Sequence, residues 1–308
     1  MMRKRLTIAG LKKMKQEHKR ISMLTAYDYP SAKLAEEAGI DLILVGDSLG
    51  NVVLGYDTTI PVTLEDMIYH TRAVARAAKD TFIVTDMPFM TYGIGRETTL
   101  RNAARLMQEG GAQALKLEGG KDIAAEVSAL VRAGIPVMGH IGLTPQSVHQ
   151  LSGYKIQKEA QKLIEDAKAL EEAGAFAVVV ELVTEPISAA ITKELSIPVI
   201  GIGAGRECDG QVLVFHDILK YSSPYYDKKF VKTYADIGTT IRDAISSYVS
   251  DVKNETFPAE ENVFGAVTSG TDTVGSLYGG SVSAADAADQ SGTKKEEAAT
   301  RDFVQNHS

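Results

Sequence analysis

The sequence of 308 residues contains a single cysteine, Cys208. One cysteine excludes an intrachain disulfide and a metal site built from cysteines alone. No apolar run approaches the roughly 18 residues of a membrane-spanning helix. The basic N-terminus has no apolar segment of the length that a signal peptide needs. These absences predict a soluble, cytoplasmic protein without a membrane partner.

The chain has fewer basic than acidic residues: 33 Lys and Arg against 40 Asp and Glu give a net charge of −7. A protein that binds duplex nucleic acid needs a basic face to neutralise phosphates, so no nucleic-acid partner is expected. With 44% hydrophobic and 24% charged residues, the chain has the composition of an ordinary globular protein.

Apolar segments alternate with amphipathic ones along most of the chain. Eight segments are predicted as strands: ISMLTAYD, DLILVGDS, FIVTDMP, ALKLEGG, VMGHIGL, AVVVELV, IPVIGIGAG and VLVFHDIL. Strands that are apolar throughout, separated by helices, predict a parallel sheet covered on both faces. Closed into a barrel, this is the (β/α)8 (TIM barrel) fold, which takes about 250 residues. An open doubly wound sheet is the main alternative.

The two ends of the chain differ from its centre. Residues 7–18 predict a short N-terminal helix, and residues 1–265 fit one barrel domain. The last long helix is expected to carry an apolar stripe of Phe230, Tyr234, Ile237, Ile241, Ile245, Tyr248 and Val252. In residues 266–308 only six of 43 residues are Leu, Ile, Val or Phe. Such a segment cannot bury enough apolar surface to fold, so it is predicted to be a disordered tail.

Polar side chains recur at the carboxyl ends of five consecutive strands. They are Asp47 and Ser48, Asp86, Lys116 and Glu118, His140, and Glu181. Any one of them alone is explained as a helix cap or a solvated loop residue. Their recurrence instead predicts an active site at the edge where parallel barrels bind ligands.

Three of these residues, Asp47, Asp86 and Glu118, are carboxylates that would repel one another without a cation between them. They offer hard oxygen ligands, which suit Mg²⁺ better than zinc. The glycine-rich turn GIGAG after the seventh strand leaves two explanations open. It could bind a phosphate, or it could allow close backbone packing.

Several motifs, in order along the chain, resemble those of the ketopantoate hydroxymethyltransferase family. They are TAYDYPSAKLAEEAG, VGDSLGNVVLGYDTTIPVT, YHTRAV, DMPFMTY, KLEGG, GHIGLTPQSV, LSGYKIQ, and IPVIGIGAG with DGQVLVFHD. The resemblance runs from about residue 5 to residue 264. It implies a (β/α)8 barrel that binds Mg²⁺ and assembles as a homodecamer. It also implies an enzyme that transfers a hydroxymethyl group from 5,10-methylenetetrahydrofolate to 3-methyl-2-oxobutanoate, the first committed step of pantothenate synthesis.

The resemblance also implies a role for each strand-end residue. The family's metal-associated acids fall on Asp47, Asp86 and Glu118. Its substrate contacts fall on Asp47, Ser48, Asp86 and Lys116, and its proposed general base falls on Glu181. For His140 we expect an orienting role toward substrate or cofactor.

Three rival functions fit the same residues. A Schiff-base aldolase would use Lys116 as its nucleophile. A folate-independent, magnesium-dependent lyase or aldolase would act on small 2-oxo acids. A binding protein would keep the barrel without catalysis.

Overall fold

A closed parallel barrel is the centre of the computed structural model, which describes residues 5–151, 153, 155–222 and 227–264. Each strand pairs with its neighbours in chain order, and the eighth pairs with the first. The strands are β1 (Ile21–Thr25), β2 (Leu42–Val45), β3 (Phe82–Asp86), β4 (Ala114–Glu118), β5 (Val137–Gly142), β6 (Ala177–Glu181), β7 (Val199–Ile202) and β8 (Gly210–Leu213). Because this sheet has no free edge, the (β/α)8 prediction is confirmed and the open sheet is excluded.

Helices connect successive strands from β1 to β7, whereas a loop joins β7 to β8, and further helices lie before β1 and after β8. In the described ranges the helices are α1 (Ile8–Gln16), α2 (Tyr29–Glu37), α3 (Leu49–Val52), α4 (Leu64–Ala77), α5 (Arg96–Arg105), α6 (Ala124–Arg132), α7 (Ala160–Glu172), α8 (Glu185–Glu194), α9 (Phe215–Leu219) and α10 (Ile237–Lys253). A capping box begins α4: Thr63 Oγ1 accepts from the Asp66 N–H, and Asp66 Oδ2 accepts from the Thr63 N–H.

Alternate residues of each strand point into the barrel, and their polarity changes along its axis. Near the amino ends of the strands the inward positions are apolar, and Leu11 of α1 packs in the same cluster. On β4 the inward series runs from buried Ala114 to Lys116 and Glu118. The same change from apolar to polar occurs on β3, β5 and β6. The barrel interior is therefore apolar at one end and polar at the other.

Two sequence-based boundaries were wrong. The predicted eighth strand VLVFHDIL is a strand only up to Leu213, and its second half is helix α9. The Phe215 N–H donates to the Thr25 hydroxyl instead of pairing with a neighbouring strand, so the ladder ends there. The last helix begins at Ile237, so Phe230 and Tyr234 precede it. Asp236 sets that start, since its Oδ1 accepts from the Thr239 N–H at 3.0 Å.

The chain divides into two compact units, with the boundary after Asp243. Residues 1–243 contain the barrel, and the described part of the second unit contains the rest of α10 and a 3₁₀ turn, Glu260–Asn262. Among the described residues, no helix has the length and apolar character needed to cross a membrane. The predicted tail, 266–308, lies outside the described residues, and the domain boundary at 265 stays a prediction.

Candidate active site

One cavity of about 560 Å³ is lined by all seven polar residues predicted at the strand ends. Strand register explains their proximity, because Asp86 is the partner of Lys116 across β3 and β4, and Glu118 is the partner of His140 across β4 and β5. Glu181 ends β6, the next strand around the barrel. The structure thus brings the predicted residues together, while their individual roles stay predictions.

The turn after β2 places Asp47 beside Asp86. The Asp47 backbone N–H donates to Asp86 Oδ2 at 3.0 Å. A Cβ at Gly46 would lie 2.8 Å from Ser48 Oγ, so a larger residue would displace this turn. Ser48 Oγ shares a hydrogen bond of 2.8 Å with the hydroxyl of buried Tyr27. The hydroxyl of Ser48 is therefore oriented by a tyrosine, without a histidine base.

Lys116 lies at the centre of the charged cluster. Its Nζ is 3.0 Å from Asp86 Oδ1, 3.0 Å from His140 Nδ1 and 3.8 Å from Glu118 Oε1. Burial alone would lower the pKa of Lys116, but the charges of Asp86, Glu118 and Asp47 outweigh it and raise the pKa above its usual range. Lys116 is therefore a buried ammonium cation at neutral pH.

His140 links Lys116 to Glu181. Its Nε2 lies 3.3 Å from Glu181 Oε2, and its Nδ1 lies 3.5 Å from Glu118 Oε1. Burial and Lys116 lower the pKa of His140, but hydrogen bonds to Glu118 and Glu181 outweigh both and raise it to about 9. When Nδ1 accepts from the Lys116 ammonium, the proton of a neutral ring lies on Nε2. In the neutral and the charged ring alike, Nε2 carries a proton and lies within ion-pair distance of Glu181, without the alignment of a hydrogen bond.

The four carboxylates of Asp47, Asp86, Glu118 and Glu181 carry more negative charge than Lys116 and a charged His140 can neutralise. Burial, followed by the charges of Asp86 and Glu118, raises the pKa of Asp47 well above its usual value. Burial also raises the pKa of Asp86, although Lys116 opposes this. For Glu118 burial acts in the same direction, but His140 and Lys116 outweigh it and lower the pKa. The cluster would therefore be stabilised by a further cation.

Two further residues contact these acids and were not singled out from the sequence. Gln146 donates through Nε2 to Asp47 Oδ2 at 2.8 Å, and through its backbone N–H to Glu118 Oε2 at 2.9 Å. The Tyr92 hydroxyl lies 2.7 Å from Gln146 Oε1. Gln146 belongs to the GHIGLTPQSV motif, but glutamine has no charge or metal-ligand signature that would have identified it.

An ion pair forms another part of the cavity wall. Lys228 Nζ lies 2.6 Å from Asp217 Oδ2, and both residues line the cavity. The predicted eighth strand contained Asp217, which explains why its position in a helix at the rim was missed.

The glycine-rich turn GIGAG is explained by packing. A Cβ at Gly205, whose φ is +87°, would lie 2.5 Å from the side chain of Glu185. Glu185 Oε1 also accepts from the backbone N–H of Arg206 at 3.1 Å. A carboxylate already occupies this donor, so the geometry favours close packing over a phosphate site.

The seven converging residues do not form a preassembled metal cage. Among the residues that the structure describes, no three His, Cys, Asp or Glu side chains are grouped so that they could hold one ion. Asp86 Oδ1, however, is buried and has no partner with hydrogen-bond geometry. Its contact with Lys116 is an ion pair, which leaves this oxygen available to a cation.

The fold and the cavity together define a (β/α)8 barrel with a candidate active site at the carboxyl ends of its strands. Two solved structures share the fold. A phosphonopyruvate hydrolase in complex with oxalate and Mg²⁺ has a TM-score of 0.55 at 13% identity, covering 83% of this chain and 92% of its own. A 2,3-dimethylmalate lyase of the PEP mutase/isocitrate lyase superfamily has a TM-score of 0.53 at 16% identity. The match covers 83% of this chain and 91% of the lyase chain.

This chain belongs to the ketopantoate hydroxymethyltransferase family, whose sequence profile matches residues 5–260. The 3-methyl-2-oxobutanoate hydroxymethyltransferase of Geobacillus sp. (strain WCH70) is 60% identical over 256 residues, covering 82% of this chain and 91% of that protein. The protein of the same name from Carboxydothermus hydrogenoformans is 57% identical over 264 residues, covering 84% of this chain and 95% of that protein. These matches confirm the resemblance found in the motifs, and with it the predicted class of enzyme, a hydroxymethyltransferase.

Proposed function

We propose that this chain transfers a hydroxymethyl group from 5,10-methylenetetrahydrofolate to 3-methyl-2-oxobutanoate, forming 2-dehydropantoate (ketopantoate) with the help of Mg²⁺. The observation that carries the proposal is the convergence of seven residues on one cavity, six of them from the family's motifs and the seventh, Glu181, from the end of β6. The names of relatives at 54–60% identity support the same acceptor substrate.

The donor set fits a magnesium ion. Mg²⁺ is usually bound by one or two carboxylates, and waters or substrate oxygens complete its octahedron. Asp47 and Asp86 would supply these carboxylates. Glu118 would assist through water, because its oxygens already contact Gln146, Lys116 and His140. When bound, the ion would act as a Lewis acid that polarises the keto group of the substrate.

Side chains of the protein would bind the substrate, remove its proton and orient the base. The Lys116 ammonium and the Ser48 hydroxyl would bind the carboxylate and keto oxygens of the 2-oxo acid. Glu181 would remove the proton from C3. Water would add to the methylene carbon while both of its C–N bonds to the folate break, which releases tetrahydrofolate and a one-carbon unit at the oxidation level of formaldehyde. The electron pair left on C3 would bond to that carbon, and the proton would return to its oxygen to complete the hydroxymethyl group. His140 would orient Glu181 electrostatically, since its Nε2 atom lies 3.3 Å from Glu181 Oε2. The proposed base thus lies two strands from Glu118, away from the metal-binding acids.

The state of Lys116 argues against the Schiff-base rival. A lysine nucleophile needs a lowered pKa so that its amine is free. Here Asp86 and Glu118 raise the pKa of Lys116 and keep it charged. The geometry therefore favours a role in electrostatic binding over covalent catalysis.

The variant Glu181→Gln tests the assigned base. We expect the rate of product formation to fall by at least about 100-fold, the usual contribution of a general base. Exchange of the C3 hydrogen of 3-methyl-2-oxobutanoate with deuterated water, followed by NMR, should fall in parallel. Glu172→Gln, at an exposed acid of α7, is the matched control and should exchange at the wild-type rate. Wild-type exchange in Glu181→Gln would show that another group takes the proton.

The homodecamer and the cytoplasmic location stay predictions. An apolar stripe supports assembly: no residue of α10 is buried, and Ile245 and Tyr248 are each 57% exposed. Exposed apolar patches of this kind mark interaction surfaces.

A further inference from the structure

Gln146 connects two of the proposed metal-binding acids. It lies in the 3₁₀ turn Pro145–Ser147 after β5 and is only 4% exposed. Its side chain meets Asp47, and its backbone N–H meets the carboxylate of Glu118. These two acids come from different strands, so one residue fixes both with respect to the barrel.

The orientation of the Gln146 amide is determined by its neighbours. Its NH₂ group faces two acceptors, Asp47 Oδ2 at 2.8 Å and the Met87 carbonyl oxygen at 3.0 Å. Its Oε1 faces the Tyr92 hydroxyl at 2.7 Å, which can donate. A flipped amide would oppose oxygen to oxygen at two contacts. The side chain therefore has a single satisfied orientation, with its donors toward Asp47.

Tyr92 extends the same network to the backbone of Glu118. Its hydroxyl oxygen accepts from the Glu118 N–H at 3.2 Å and lies 3.1 Å from the Glu118 carbonyl oxygen. Glu118 is thus held at its main chain by Tyr92 and at its carboxylate by the turn that carries Gln146. Neither Gln146 nor Tyr92 adds charge to the site.

We infer that Gln146, supported by Tyr92, is a positioning residue that holds the carboxylates of Asp47 and Glu118 in the orientation that binds the cation. This role depends on the proposed function, because it acts only through a bound cation. Hydrogen bonds from outer residues orient metal ligands in this way, and their loss typically lowers metal affinity by about 10- to 100-fold. A neutral donor is suited to the task, since it fixes Asp47 while leaving its negative charge intact.

Direct binding of Mn²⁺, measured by the EPR signal of the free ion, tests the inference on the whole chain. Gln146→Met keeps the side-chain length and removes both donors, and we expect the Kd for Mn²⁺ to rise about 10- to 100-fold. Tyr92→Phe removes only the hydroxyl and should raise it about 10-fold. Gln161→Met, at an exposed glutamine of α7, is the matched control and should leave the Kd unchanged.

Activity provides a second readout that separates positioning from general damage. In Gln146→Met the Mg²⁺ concentration for half-maximal rate should rise with the Kd, while kcat at saturating Mg²⁺ stays within about 3-fold of wild type. A lower kcat with an unchanged Kd would overturn the inference. If Gln146→Met fails to fold, the Mn²⁺ affinity of Tyr92→Phe decides the question.

The controls distinguish this inference from the proposed function. Wild-type Mn²⁺ affinity in Gln146→Met and Tyr92→Phe would overturn the positioning role alone. A wild-type chain that binds no Mn²⁺ would overturn it together with the magnesium part of the proposed function. If the wild type binds Mn²⁺ but forms no ketopantoate, the proposed reaction fails, and the comparison of Kd values still decides the role of Gln146.

Discussion

Neutralising Asp47 should stabilise the metal-free protein while removing its response to magnesium. The Asp47 carboxylate is only 3% exposed, and the charges of Asp86 and Glu118 act on it together with burial. In Asp47→Asn the Oδ1 atom can still accept the hydrogen bond from Gln146, so the main loss is one buried negative charge. A buried charge that is not compensated costs about 1–3 kcal/mol or more of folding free energy, so removing the charge of Asp47 should stabilise the metal-free protein.

The raised pKa of Asp47 determines how the stability difference between Asp47→Asn and wild type changes with pH. An acid with a folded-state pKa above its unfolded value near 3.8 binds protons more readily when folded. Its contribution favours folding at low pH and is lost as the pH rises from that unfolded value through the raised pKa. Asp47→Asn should therefore gain little over wild type below pH 4 and most at neutral pH, where Asp47 is ionised in the unfolded state.

Denaturant unfolding of wild type and Asp47→Asn, in EDTA and in Mg²⁺, measures these effects. In EDTA at pH 7.5 we expect the variant to be more stable by about 1–3 kcal/mol, the cost of an uncompensated buried group. Mg²⁺ at 100 times its Kd should stabilise wild type by about 2.7 kcal/mol and the variant by almost nothing. Asp80→Asn, at an exposed aspartate, should behave as wild type. A variant less stable in EDTA, or equally stabilised by Mg²⁺, would refute the reasoning.

Three further predictions concern other parts of the molecule. Borohydride added with 3-methyl-2-oxobutanoate should leave no covalent adduct on Lys116, because its ammonium is charged; an adduct by mass spectrometry would support the Schiff-base rival. Tyr27→Phe should raise the KM for the oxo acid by up to about 10-fold, the scale of one hydrogen bond, because Ser48 loses its partner; an unchanged KM would remove Ser48 from the substrate contacts. Ending the chain at residue 264 should leave kcat/KM within about 2-fold of the full chain, since the family profile ends at 260; a larger loss would assign a function to the tail.

The barrel was predictable because its strands are short apolar segments at regular intervals. Alternation along a strand was equally informative, since two residues with the same parity, Lys116 and Glu118, must share one side of β4. Charged residues at strand ends then indicated the site, because ionisable side chains in an apolar barrel require partners. These are local patterns, and a sequence displays them directly.

The parts that escaped prediction depend on distant contacts. Gln146 is 99 residues from Asp47 and 28 from Glu118, and only the closed barrel brings them together. The end of β8 depends on a hydrogen bond to Thr25, 190 residues away. The contact of His140 with Glu181 likewise follows from strand register. Sequence patterns identify which side chains reach the mouth of the barrel, but the pairing among them comes from its closure.

The most direct test of the central claim is an assay of ketopantoate formation by the purified chain. It should supply 3-methyl-2-oxobutanoate with or without 5,10-methylenetetrahydrofolate, and Mg²⁺ or EDTA. We predict product only when the folate and the metal are both present. Turnover of the oxo acid without folate would favour the folate-independent rival, and no product under any condition would contradict the proposed function.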